Sequence, residues 1–81
     1  VKENILKCLG NNIRSLRAMQ GFSQESFAKH AGIDRSYMGA IERGQRNICM
    51  HNVEKIALAL KINIYELFIV RTDNNDTERN T

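Results

Sequence analysis

The chain of 81 residues contains no proline, no tryptophan and only two cysteines. Without proline, no helix interior loses an amide donor or clashes with a pyrrolidine ring. Cys8 and Cys49 lack a CxxC spacing, so they read as reduced thiols of a cytosolic protein rather than as a disulfide or a zinc site. His30 and His51 are equally isolated, and no metal and no other cofactor is expected. The longest apolar run falls far short of the roughly 20 residues that span a bilayer. Lys2, Glu3 and Asn4 precede any apolar stretch, so the start does not read as a signal peptide either. There is no nucleophile motif, no glycine-rich phosphate loop and no cluster of metal-ligating residues. So short a chain rarely encloses a substrate pocket of about a few hundred Å³. These absences exclude a membrane protein and argue against an enzyme. They leave one small domain, expected in the cytoplasm.

What the chain does have is a mild excess of positive charge. Twelve Lys and Arg stand against nine Asp and Glu, a net charge of +3. The last residues offset part of it, with Arg71 and Arg79 against Asp73, Asp76 and Glu78. Residues 1–70 therefore hold ten basic and six acidic side chains, which suits nucleic acid without requiring it. Residues 72–81 are polar and carry no aliphatic side chain, so a disordered tail is expected after a domain spanning 1–71.

Period-two patterns are absent, while helical periodicity recurs. Ile5, Leu9, Ile13 and Leu16 make one apolar stripe, and Val53, Ile56, Ala57 and Leu60 another. Four helix starts share one device, an N-cap residue with an apolar neighbour before it and another four residues after it. Ser23 lies between Phe22 and Phe27, Asp34 between Ile33 and Met38, Asn63 between Ile62 and Leu67, and Cys49 between Ile48 and Val53, although cysteine caps poorly. Gly21, Gly32 and Gly44 stand where helices end. The pattern predicts five helices, at about 4–20, 24–31, 35–43, 50–60 and 64–70, and hence an all-α fold. The second and third, joined by a turn around Gly32, form a helix-turn-helix unit. Met38 and Ile41 face inward on the third helix, leaving Arg35, Ser36, Gly39 and Ala40 near its outer N-terminal end, the part that enters a major groove.

The run from Phe22 to Asn47 resembles the helix-turn-helix of the phage Cro/C1-repressor type. The shared motifs are Ser23-Gln-Glu, Ala31-Gly-Ile, Ile41-Glu-Arg-Gly and Lys55-Ile-Ala, and the likeness continues through Tyr65-Glu-Leu-Phe68. Within that family, Asp34-Arg-Ser-Tyr37 followed by Glu42-Arg-Gly-Gln-Arg-Asn47 looks like the controller proteins of restriction–modification systems. The departures are Cys49, where Ser or Thr is usual, and Ser26, where an acid is common.

The resemblance implies a compact five-helix domain, like that of lambda repressor, that regulates transcription as a homodimer on palindromic double-stranded DNA. Activation would bring a contact with RNA polymerase, and the same protein would repress its own gene. A phage-type repressor, another small autoregulator and an antitoxin-like interaction module are the alternatives. Base reading falls to Arg35, Ser36, Tyr37 and Ala40. An arginine can take guanine O6 and N7 together, and an alanine can meet a thymine methyl. The bland alternative for Arg35 is a solvated side chain beside Asp34 or Glu42. Backbone contacts fall to Ser23, Gln24, Arg43, Arg46 and Asn47. An outward acid on the reading helix would repel phosphate, and the family's matching acid points inward, so Glu42 is expected to pair with Arg14. Arg17 and Lys29 are expected to face solvent. Ile64, Leu67, Phe68, Ile69 and Val70 are apolar on more than one helix face, which leaves a patch suited to an interface. The family pattern makes it a two-fold dimer contact through Ile64, Tyr65 and Phe68.

Overall fold

The computed structural model describes residues 4–69, which form four α-helices and one short 3-10 helix around a single core. α1 is Ile5–Met19, α2 Gln24–Ala31, α3 Arg35–Glu42 and α4 Met50–Leu60; Ile64–Phe68 is the 3-10 helix. No strand occurs among the described residues. The expected tail at 72–81, together with Val70, lies outside them.

Each helix begins where its sequence offers acceptors to the free first-turn amides. The Asn4 side chain accepts from the Leu6 and Lys7 amides, and Asp34 accepts from Tyr37 N at 3.0 Å. Ser23 Oγ accepts from Ser26 N at 3.0 Å, while Ser26 Oγ accepts from Ser23 N at 3.0 Å. A serine thus closes a reciprocal capping box in which glutamate is the commoner partner, so the departure at Ser26 does not weaken this start. The Phe22 and Phe27 rings, 5.3 Å apart and edge to face, form the apolar staple around it. Cys49 has cap backbone geometry (φ −75°, ψ 155°) but makes no side-chain cap bond. The α2–α3 turn passes through Gly32 at φ +73°, a left-handed conformation that costs glycine little, and buried Ile33 anchors it. α4 ends on Lys61 at φ +60°, the one non-glycine residue in that region among those described, which no sequence signal marked.

The fifth element corrects the expectation of a helix over 64–70. Its Glu66 amide bonds to the Asn63 carbonyl at 3.0 Å, a three-residue step, and the Glu66 carboxylate accepts from Asn63 N at 3.0 Å. Continuation is blocked by a competing donor. Buried Asn12 of α1 donates to the carbonyls of Leu67 and Ile69, both at 2.8 Å, and Ile69 is extended at ψ 126°. Those carbonyls are therefore satisfied by a side chain from another helix, and the segment is tied across α1.

The core is drawn from every element. Ile13, Phe27, Met38, Val53, Ile56, Leu60 and Leu67 are its largest fully buried side chains. Truncating one such residue to alanine costs about 2–5 kcal/mol. α1 packs closest to α3 at Gly10, where a Cβ would lie 2.5 Å from the carbonyl oxygens of both Ile41 and Glu42. That contact sets the end of α3 directly on α1 and brings Glu42 within reach of α1's arginines.

Candidate nucleic-acid interface

α2 and α3 cross as a helix-turn-helix, and the outer side of α3 carries the residues expected to read DNA. Arg35 and Ser36 are exposed on its first turn, just past the Asp34 cap. Neither side chain makes a hydrogen bond or ion pair among the described residues, so both are available to a ligand. Tyr37 and Ala40 are half-buried. The Tyr37 hydroxyl makes long contacts of 3.4 Å, donating to the Asn47 carbonyl and accepting from Asn52 Nδ2, and the Arg46 guanidinium sits 5.2 Å from the ring centroid. Tyr37, Arg46 and Asn47 are thus gathered into one corner where α3 runs into the following loop, and Tyr37 is partly committed to holding that loop.

Gly39 is not an outward spacer but buried. A Cβ there would come 3.2 Å from both Gln24 Oε1 and Arg43 Nη1, so its missing side chain makes room for two neighbours. Gln24, at the first position of α2, is half-buried and donates through Nε2 to Glu42 Oε1 at 3.0 Å. Ser23 is exposed, with its hydroxyl taken up by the cap. Arg43, Arg46 and Asn47 are exposed, and Arg43 Nε donates to Gln45 Oε1 at 2.8 Å. At the other end of the chain Ile64 and Tyr65 are exposed, Tyr65 by 62%, while Phe68 packs partly against the core. Exposed Met50 joins Ile64 in lining one shallow depression on that side, a neighbour the sequence pattern did not single out.

The expected Arg14–Glu42 pair is not formed. Glu42, only 3% exposed, pairs with Arg17, which donates from Nε to Oε2 at 2.7 Å and from Nη2 to Oε1 at 2.9 Å. Arg17 Nη1 also donates to the Phe22 carbonyl at 3.0 Å. Arg14 is exposed and bonds instead to Asn11 Oδ1 at 2.7 Å. The reason is helical geometry. Arg17 lies four residues after buried Ile13 and shares its face, whereas Arg14 follows Ile13 by one residue and is turned away by about 100°. A helical side chain also leans back toward the N-terminus, which carries Arg17 toward Gly10 and the end of α3. The hydrogen bonds that Arg17 donates to Glu42, opposed by burial, hold its guanidinium above its ordinary pKa. The pair is a bidentate brace joining α1 to α3, and Gln24 extends it to α2.

The helix-turn-helix domain family matches residues 10–70 of this sequence, three quarters of the chain and all four α-helices in whole or part. The chain belongs to the helix-turn-helix family. The crystal structure of the restriction-modification controller protein C.AhdI from Aeromonas hydrophila shares this fold with a TM-score of 0.75, at 49% identity over 78% of this chain and 96% of that one. Control protein C.MunI of a Mycoplasma species is 45% identical over 60 residues, covering 73% of this chain and 81% of its own length. A hypothetical transcription factor of Neisseria meningitidis is 38% identical over 68 residues, 84% of this chain, and this chain spans 64% of that protein's length. This helix-turn-helix chain therefore has controller proteins and transcription factors among its relatives. Among its described residues no helix is long and apolar enough to cross a membrane.

Proposed function

We propose that this helix-turn-helix protein is a sequence-specific regulator of transcription, of the restriction–modification controller kind, acting in the cytoplasm as a homodimer on palindromic duplex DNA. The observation that carries the reading is the first turn of α3. It presents Arg35 and Ser36 unpaired to solvent, while the other end of the helix is braced by the buried Arg17–Glu42 pair. A reading helix needs this combination, because side chains report base identity only from a fixed backbone. Gln24 and Arg43 by the C-terminal end of α3, with Arg46 and Asn47 in the loop after it, are the backbone-contact candidates, with Tyr37 and Ala40 as secondary base contacts and Ser23 offering its helix start. Ile64 and Tyr65, with Phe68 beneath them, supply the exposed apolar surface for a two-fold contact. Such a dimer sets two reading helices roughly 34 Å apart, one turn of DNA. Activation through RNA polymerase at one operator and repression by occlusion at another is the scheme that the controller likeness brings.

The test is selection of bound fragments from a random duplex pool, run on the protein and on Arg35→Ala. A pseudo-palindromic consensus that loses a guanine preference in the variant is expected, with a loss of about 1–3 kcal/mol at that base pair. Absence of any enriched motif at physiological salt would count against the reading. Tyr65→Asp is expected to yield a monomer in sedimentation and to lose the two-fold symmetry of the selected site.

A further inference from the structure

Beside the brace, α1 and the last turn of α3 enclose an open cleft of about 430 Å³ lined by Lys7, Asn11, Arg14, Glu42, Arg43 and Gln45. Three of these side chains are cations and one is an acid. The charge of that acid is matched by Arg17, which with Gln24 engages both Glu42 oxygens. Arg14 and Arg43 are each oriented by a neutral amide oxygen, Asn11 Oδ1 at 2.7 Å and Gln45 Oε1 at 2.8 Å. Those bonds fix the two guanidiniums without cancelling their charge and leave further N–H groups free. The amide nitrogens of Asn11 and Gln45 have no acceptor among the described residues. Gly44 lies against the backbone of Lys7, where a Cβ would come 2.9 Å from Lys7 Cα, so the loop after α3 runs close to this lysine. Three positive charges and two amide donors thus line one cavity whose single acid, Glu42, is already paired with Arg17.

We infer that this cleft receives a phosphate of the DNA backbone, so that the DNA-contacting surface continues from Arg43 onto Lys7 and Arg14 of α1. The inference rests on the DNA-binding reading above and extends it. A phosphodiester matches the donor set, since an arginine fork can engage two of its oxygens and a lysine adds a point charge. The cleft is open to water, where a free anion would stay hydrated. A DNA phosphate is delivered instead by the neighbouring contacts, because Arg43 caps α3 and leads into Arg46 and Asn47. Phosphate contacts of this kind carry no sequence information and add to affinity and to its salt dependence.

Affinity for the selected operator, measured against salt concentration, tests this in the full chain, Lys7→Gln, Arg14→Gln and the double variant. The slope of log K against log salt is expected to flatten in each single variant and by about 2 in the double, one lost phosphate contact in each half-site of the dimer, with the selected consensus unchanged. Both side chains are exposed, so melting temperatures should stay the same, and a fall in both would mark a structural role instead. An unchanged slope in the double variant overturns the inference while leaving the DNA-binding reading intact. A second arm titrates inorganic phosphate into the DNA-free protein and follows its melting temperature. Stabilisation that depends on Lys7 and Arg14, with an unchanged slope on DNA, would assign the cleft to a free phosphate and likewise overturn it. Failure of the unaltered chain to bind any DNA removes both this inference and the reading beneath it.

Discussion

Replacing Glu42 with glutamine separates the two arginines that could brace α3. In the native chain the Glu42 carboxylate accepts from Arg17 twice and from Gln24 once, at 2.7–3.0 Å, and is 3% exposed. Glutamine keeps one oxygen but turns an NH2 group toward a donor, and it leaves Arg17 charged in a site that is 13% exposed. Breaking a fully buried pair costs about 3–5 kcal/mol, and losing a hydrogen bond to a charged group about 1.5–3. The arginine's partial access to water places Glu42→Gln near the lower figures, at about 2–3 kcal/mol. For a domain of this size that is a fall of about 10–20 °C in melting temperature. Melting followed by circular dichroism at fixed protein concentration reads it directly. Arg17→Ala should cost a comparable amount, and Arg14→Ala should stay within about 0.5 kcal/mol, as exposed positions do. Arg17 is held above its ordinary pKa, so its share of stability is complete below the unfolded value and is lost only as pH rises through the still higher folded one. Between neutral pH and about pH 10 it should therefore not contribute any slope. An Arg14→Ala variant as destabilised as Arg17→Ala, or an unchanged melting temperature in Glu42→Gln, would refute the assignment.

Other consequences follow from single positions. Cys49→Ser should raise stability by about 0.5–2 kcal/mol, because the residue already has cap geometry and lacks only a side-chain acceptor; chemical denaturation would show it. Gly10→Ala should destabilise by about 1–3 kcal/mol although alanine is the better helix former, since the new methyl meets two backbone carbonyls; the same measurement decides. Asn12→Ala should cost about 1–3 kcal/mol by orphaning the Leu67 and Ile69 carbonyls, and amide exchange should quicken around Ile64–Phe68.

The features readable from the sequence were those set by local rules. Cap residues, apolar staples and the glycine of the α2–α3 turn depend on neighbours within a few positions, so the four α-helices fall within a residue or so of where the pattern puts them. The inward face of α3, with Met38 and Ile41, follows from the same periodicity. What was not readable depends on partners distant in the chain. Asn12 looks like any polar residue on α1, and only the packed fold shows that it satisfies carbonyls 55 and 57 residues away. Gly10 carries no helix-ending role, and its purpose is the backbone of α3. Arg17 could have been preferred over Arg14 from the sequence, because it shares a face with Ile13. The apolar stripe on α1 is the available signal, and it places Arg17, not Arg14, on the face that meets Glu42. Lys61 in a left-handed conformation and the shortening of the fifth element had no local mark at all.

Under the proposed backbone contact of Gln24, Glu42 would also link the fold to DNA, because the oxygen that holds Arg17 Nη2 also holds Gln24 Nε2. With one N–H of Gln24 committed to Glu42, the remaining N–H is fixed in direction. A phosphate there would meet a donor whose rotamer is already chosen, which lowers the ordering cost of binding. Glu42 would then strengthen DNA binding without touching DNA, and only through Gln24. A double-mutant cycle on operator affinity tests that claim, at a temperature where every variant is folded. Glu42→Gln should weaken binding in the native background and have little further effect once Gln24→Ala is present, with a coupling of about 0.5–3 kcal/mol. An equal loss in both backgrounds would mean that Glu42 acts by placing α3 as a whole, and that Gln24 is no more than its hydrogen-bond partner.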